Sequence, residues 1–152
     1  MIGVRPLEAA DIPDVVELAR LMHAEAPHYR DYPFEPDRLN DWFNLFLGNP
    51  DWLLILAVDE DHGPVGMLAV AALPMIFCYE RTVDDVAFFV HPDWRGSSAA
   101  VRMIRYLDAW AKGQGAKAIR IGITTGTNNE AGAKFLERFG FARTGLLMTR
   151  CE

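Results

Sequence analysis

At 152 residues the chain carries about one domain's worth of sequence, and its 51% hydrophobic and 24% charged residues are enough to build a buried core without disulfide or metal staples. The net charge of -6 is modest and aromatic residues are plentiful, which excludes a disordered chain. Lys and Arg are scattered and form no basic face, which argues against nucleic acid as a partner.

The elements follow in chain order. Residues 2–6 alternate as a short strand. Asp11 offers an N-cap and Pro13 a first turn for a helix with Ile12, Val15, Leu18, Ala19 and Met22 on one face. Pro27, Pro33 and Pro36 force residues 26–36 into a loop. A second helix places Leu39, Trp42, Phe43 and Phe46 at helical spacing and ends near Gly48 and Pro50. Residues 52–58 and 65–73 read as a hairpin around the turn at Asp59 to Gly63, with Pro74 interrupting the second strand. A further strand is predicted at 81–90. A long amphipathic helix is predicted at 96–112, with Ala100, Met103, Ile104, Leu107, Trp110 and Ala111 as its buried stripe. Residues 118–123 read as a buried strand, 129–138 as a last helix, and 141–149 as a closing strand.

This order, β-α-α-β-β-β-α-β-α-β, predicts a mixed α/β domain spanning residues 1–152, with about six strands and four helices. The strand–helix–strand unit around 96–112 is expected to be a right-handed crossover that makes strands 81–90 and 118–123 parallel neighbours. Cys78 and Cys151 have neither metal spacing nor a disulfide framework, so no metal is expected and both read as reduced cytoplasmic thiols. No apolar run reaches the ~20 residues needed to cross a membrane. The first residues also lack the basic-then-apolar layout of a signal peptide.

The richest chemistry lies in Val90-His91-Pro92-Asp93-Trp94-Arg95-Gly96-Ser97-Ser98-Ala99-Ala100, where an apolar strand gives way to a small-residue turn and then a long helix. The first N–H groups of a helix have no intrahelical partner, and the helix dipole adds partial positive charge there. Small residues let a diphosphate approach that backbone, and Arg95 can add a charge-assisted contact. A purely structural reading competes: Ser97 or Ser98 caps the helix, and Arg95 is a solvated surface residue.

This segment resembles the pyrophosphate-binding motif of the GNAT acetyltransferases, Arg/Gln-x-x-Gly-x-Gly/Ala after a strand ending in Val-x-Pro. Arg95 fills its first position and Ala100 its last, while Ser98 stands in place of the middle Gly. Downstream, residues 129–141 resemble the family's Asn-x-x-Ala-x-x-x-Tyr-x-x-x-Gly-Phe segment through Asn129, Gly140 and Phe141, with Gly132 where Ala is usual. The resemblance implies a GNAT-like twisted sheet, mostly antiparallel, with a central splayed parallel pair. It also implies acetyl-coenzyme A as cosubstrate and an amine as acceptor. The backbone of Phe88, Phe89 and Val90 would pair with the pantetheine arm, Arg95, Gly96, Ser97, Ser98, Ala99 and Ala100 would hold the diphosphate, and Asn129 would lie further along. A homodimer is common in the family, although no exposed apolar stripe in the sequence requires one.

The catalytic groups are less plain. The Tyr that often protonates the leaving thiolate in this family is replaced by Leu136, and Val86 and Ala87, where a base is often found, cannot serve. Glu80 and Asp85 are the candidate bases. Neighbours on a strand face opposite sides, so only one of Asp84 and Asp85 can enter a cleft. His28, Tyr29 and Tyr32, in the Pro-rich loop where the family commonly shapes its acceptor pocket, are the candidate substrate wall. His23 and His62 receive no role. Two rival readings remain: an acyl-coenzyme A sensor or scaffold without turnover, and a phosphate-binding domain unrelated to coenzyme A. The residues 129–141 match argues against the second.

Overall fold

The computed structural model describes residues 1–152. Strands β1 (Ile2–Pro6), β2 (Trp52–Asp59), β3 (Gly63–Pro74), β4 (Arg81–Val90) and β5 (Ala116–Arg120) form one sheet in that spatial order. Helices α1 (Ile12–Glu25), α2 (Pro36–Asn44), α3 (Ala99–Gly113) and α4 (Asn129–Glu137) cover it. The first three pairings are antiparallel, and β4 with β5 is parallel across the α3 crossover. The mixed α/β fold with four helices and one parallel pair agrees with the sequence reading.

β2 and β3 are apolar on both faces because both faces are covered. Leu53, Ile55 and Ala57 of β2 pack with α3 residues Met103, Ile104, Leu107 and Ala111. Leu54 and Leu56 turn to the opposite cluster, with Val15, Leu18 and Met22 of α1 and Phe43 of α2. The two clusters make a three-layer sandwich with the sheet in the middle.

Three expectations need correction. Asp11 does not cap α1 through its side chain; its carboxylate takes a bidentate contact from Arg5 of β1 at 2.7 and 2.8 Å and accepts the Glu8 N–H at 2.8 Å. The strand expected at 118–123 is β5 at Ala116–Arg120, and residues 121–125 leave the ladder. No sixth strand forms at 141–149, so the sheet has five strands and the parallel pair lies at its edge. A strand exists only where its backbone groups find a partner, and residues 142–152 make no backbone hydrogen bond.

Candidate active site

β4 and β5 stay paired only from Arg81↔Ala116 to Asp84↔Arg120. Beyond that point β4 continues to Val90 against β3 alone, so its other edge is open. The two strands splay, and the gap is the mouth of a cavity of about 480 Å³. That volume falls in the range of small-molecule sites.

A β-bulge re-aims β4 at this point. Ala69 of β3 faces Ala87, but the next residue, Val70, faces Asp85, which leaves Val86 unpaired and exposed. The consequence is visible in the packing. Val83 belongs to the α3-side core, yet Phe89, an even number of residues later, belongs to the α1-side core. Phe88 and Val90 turn toward the α3 side instead.

Asp85 and Asp84 diverge as alternation requires. Asp84 is taken by Arg120, whose Nη2 donates to it at 3.0 Å. Asp85 lines the cavity, and its Oδ1 accepts the Gly122 N–H at 2.8 Å, bridging the splay where the ladder has stopped. Burial pushes the Asp85 carboxyl above its ordinary range, and the neighbouring Asp84 charge adds to this, against the lowering effect of the Gly122 N–H. A partly desolvated carboxylate facing a cleft is suited to accept a proton. Glu80 stands apart: it does not line the cavity, and Lys117 holds its carboxylate at 2.8 Å.

At the far end of the cavity, α3 begins after a tight turn. Gly96 sits at φ +83°, a conformation that favours glycine, and a Cβ there would meet no atom within 4 Å. The amides of Gly96, Ser98, Ala100 and Val101 find no hydrogen-bond acceptor in the chain, whereas Ser97 N–H reaches Trp94 O and Ala99 N–H reaches Ser97 Oγ at 3.2 Å. Four free donors lie at the positive end of a 15-residue helix, an arrangement that favours negative charge. Arg95 and Gly96 line the cavity with Ala100, while Ser97 and Ser98 lie outside it and Ala99 is buried. Ser98 does not cap the helix through its side chain; its Oγ accepts Arg102 Nε at 3.2 Å, which draws a second guanidinium toward the same turn.

Arg95 is already engaged. Its Nη2 donates to Glu25 at 2.7 Å, its Nε to Val90 O at 3.2 Å, and its guanidinium lies over the Phe89 ring at 5.5 Å. Glu25, at the end of α1, also lines the cavity and was missed by sequence reasoning; an acidic residue closing a helix beside a Pro-rich loop was the signal available.

The remaining sequence-predicted residues divide. Phe88, Phe89, Val90 and Tyr29 line the cavity, and so does Leu136, which presents an apolar side chain there. His28 is outside it; its Nδ1 pairs with Thr124 O at 2.6 Å and its ring lies against Gly126, where a Cβ would come within 3.0 Å of it. Tyr32 is exposed and its carbonyl accepts from His23. Asn129 turns from the cavity to accept the Gly126 N–H at 3.2 Å, and Asn128 takes the place beside it. Asn128 is left-handed at φ 45° and caps α4 by accepting the Ala131 N–H at 3.3 Å.

The comparisons with known proteins converge on this architecture. The model of the acetyltransferase (GNAT) family matches residues 16–141. Glucosamine-6-phosphate N-acetyltransferase from Arabidopsis thaliana superposes with a TM-score of 0.79 at 13% identity, covering 99% of this chain and 98% of that one. An aminoglycoside 6'-N-acetyltransferase from Acinetobacter baumannii gives 0.78 at 15%, covering 100% and 98%. A protein described as a transcriptional regulator from Bacillus halodurans gives 0.79 at 22%, covering 99% and 100%. No curated protein sequence matches the chain. At these identities the structural likenesses speak for the fold alone, and the family match spans most of the sequence. The chain belongs to the GNAT acetyltransferase family.

Proposed function

We propose that this acetyltransferase moves the acetyl group of acetyl-coenzyme A to a primary amine by direct attack. One observation carries the reading: the free amides of Gly96 and Ala100, with Arg95, line the same cavity as the half-buried Asp85 carboxylate, and an open strand edge joins them. The cradle at Gly96, Ser98, Ala100 and Val101, with Arg95, suits the diphosphate. The free edge of residues 88–90 suits the pantetheine amides. Asp85 takes the proton from the attacking amine as the C–N bond forms. The C–S bond then breaks, the thiolate takes up a proton from water as Asp85 returns its own to solvent, and the products are an acetamide and the coenzyme thiol. Tyr29, in the cavity wall, contacts the acceptor. The absence of a membrane-spanning helix and the two free, exposed thiols, Cys78 and Cys151, suit a cytoplasmic site of action.

Leu136 supports a second reading. With an apolar side chain where the family often has Tyr, the domain binds the acyl-coenzyme and reports on it without turnover. Two measurements separate these. Titration calorimetry with acetyl-coenzyme A gives heat under both readings, and its absence sinks both. Thiol release across an amine panel that includes an aminosugar rises above the buffer rate only for the enzyme.

A further inference from the structure

One carboxylate in the cavity has no part in the proposed transfer. Three charged side chains line that cavity, Glu25, Asp85 and Arg95, and Arg95 is the one cation among them. Glu25 is half-buried, and its Oε2 accepts Arg95 Nη2 at 2.7 Å. It is the last residue of the 14-residue α1, so its carboxylate stands at the negative end of a helix dipole, where a cation is favoured and an acid is not. The last turn of α1 holds no Lys or Arg to offset it. Its counter-charge comes from another element.

Arg95 is the residue that the proposed function directs at the coenzyme. A diphosphate carries more negative charge than one carboxylate and draws the guanidinium toward itself. Glu25 stays where it is. Its carbonyl accepts Thr127 Oγ1 at 3.4 Å, and His28 reaches Thr124 O through Nδ1 at 2.6 Å and Thr125 O through its N–H at 3.4 Å. The end of α1 is thereby strapped to the far wall of the splay, the same stretch that carries the Gly122 N–H held by Asp85.

With the coenzyme seated, the cavity therefore presents two carboxylates and no free cation. A partly desolvated carboxylate left without a partner is costly, and the coenzyme, itself an anion, supplies none. The acceptor is the component left to do so. Met22, Ala26, Phe135 and Leu136 line the same cavity and suit a hydrocarbon spacer.

We infer that the acceptor is a small dication, with one ammonium seated on the Glu25 carboxylate and its second nitrogen delivered to Asp85. This rests on the proposed acetyl transfer and names its acceptor class: a molecule with two amines, not an amine that carries a carboxylate or a phosphate. The seated ammonium also helps the reacting nitrogen. Like-charge repulsion lowers the basicity of that nitrogen, so more of it reaches Asp85 as the free base.

Thiol release by the full chain, with acetyl-coenzyme A in excess, tests this with 1,4-diaminobutane and 1,6-diaminohexane against butylamine and hexylamine. At least one diamine is expected to exceed its matched monoamine in kcat/KM by ~10-fold or more, and Glu25→Gln to bring that ratio within about twofold of unity. A second readout needs no turnover. Calorimetry should show the preferred diamine binding about 2- to 5-fold more tightly when free coenzyme A is present, because Arg95 has then left Glu25, and Glu25→Gln should abolish that coupling. Monoamines used as well as both diamines overturn the inference. So does a diamine preference that survives Glu25→Gln, or a diamine affinity indifferent to coenzyme A. Thiol release with monoamines but no diamine preference leaves the acetyl transfer standing and sinks the dication alone. No release with any amine sinks the transfer, and the calorimetric coupling then decides whether Glu25 holds an ammonium.

Discussion

Under the proposed mechanism the Asp85 carboxylate has two roles that substitution can separate. Its Oδ1 tethers Gly122 at 2.8 Å across the splay, and its position in the cavity suits it to take the amine proton. A carboxamide in its place would keep an oxygen for the Gly122 N–H and lose the base, so Asp85→Asn is expected to lower kcat/KM by ~10²–10⁴, about 2.7–5.4 kcal/mol of transition-state stabilisation. Asp85→Ala loses the tether as well. Because Gly122 is exposed and water can replace the lost acceptor, the added stability cost is the net value of one hydrogen bond, about 0.5–1.5 kcal/mol. The pH dependence has a definite sign. Burial raises the folded-state pKa, so the protonated form is favoured on folding. That contribution is fully present below the unfolded pKa and is lost as pH rises through the folded one. The melting temperature of Asp85→Asn relative to wild type should therefore climb from acid to neutral pH. In the wild type, kcat/KM should rise through an acid limb displaced upward from the ordinary carboxylate range, and Asp85→Asn should lack that limb. Thiol release measured across pH, beside thermal unfolding, decides the matter. An Asp85→Asn variant within about threefold of wild type with its acid limb intact would refute the role.

The cofactor cradle makes its own predictions. Gly96→Val forces a side chain into φ +83° at a cost of ~1–2 kcal/mol, and calorimetry should show acetyl-coenzyme A binding weakened by more than ~10-fold; a loss of stability as large as the loss of binding would favour a purely structural turn. Arg95→Ala should weaken binding by about 10-fold or more. Glu25→Gln should tighten it by up to about 5-fold, since the half-exposed Glu25–Arg95 pair competes with the diphosphate and is worth only ~0.2–1 kcal/mol. Leu107→Ala, at a fully buried position of α3, should cost ~2–5 kcal/mol in urea denaturation while leaving the affinity of the folded protein for the coenzyme unchanged.

Much of this fold is written in local periodicity. The stripe Met103, Ile104, Leu107 and Ala111 and the two-faced apolar strands β2 and β3 are strong signals because burial enforces them residue by residue. The glycine turn and the small residues before α3 were equally plain, since few side chains can occupy φ +83°. Pairing was less legible. Residues 141–149 have the composition of a strand, but composition says nothing of which edge will accept it, and within one chain none does. At the second motif the site is displaced by one residue: Asn128 and Asn129 are chemically identical, and only the left-handed φ of Asn128 decides which of them caps α4 and which faces Gly126.

The bulge at Val86 is the feature that sequence could least announce, and it organises the site. No Gly or Pro marks it. Strict alternation would set Val83, Asp85, Ala87 and Phe89 on one face, and then either the carboxylate or the phenyl ring would lie on the wrong side. With one extra residue on β4, Asp85 keeps the face of Val83, Phe89 buries under α1, and the strand edge from Phe88 to Val90 faces the gap. The ladder to β5 stops at Asp84, one residue before the bulged segment begins. A backbone that can no longer pair with β5 exposes donors and acceptors in a partly buried cleft, and leaving them there unmatched is costly. That cost is relieved when an extended, amide-bearing ligand enters, so the same irregularity that turns Asp85 inward also opens the edge that the proposed function assigns to the pantetheine arm.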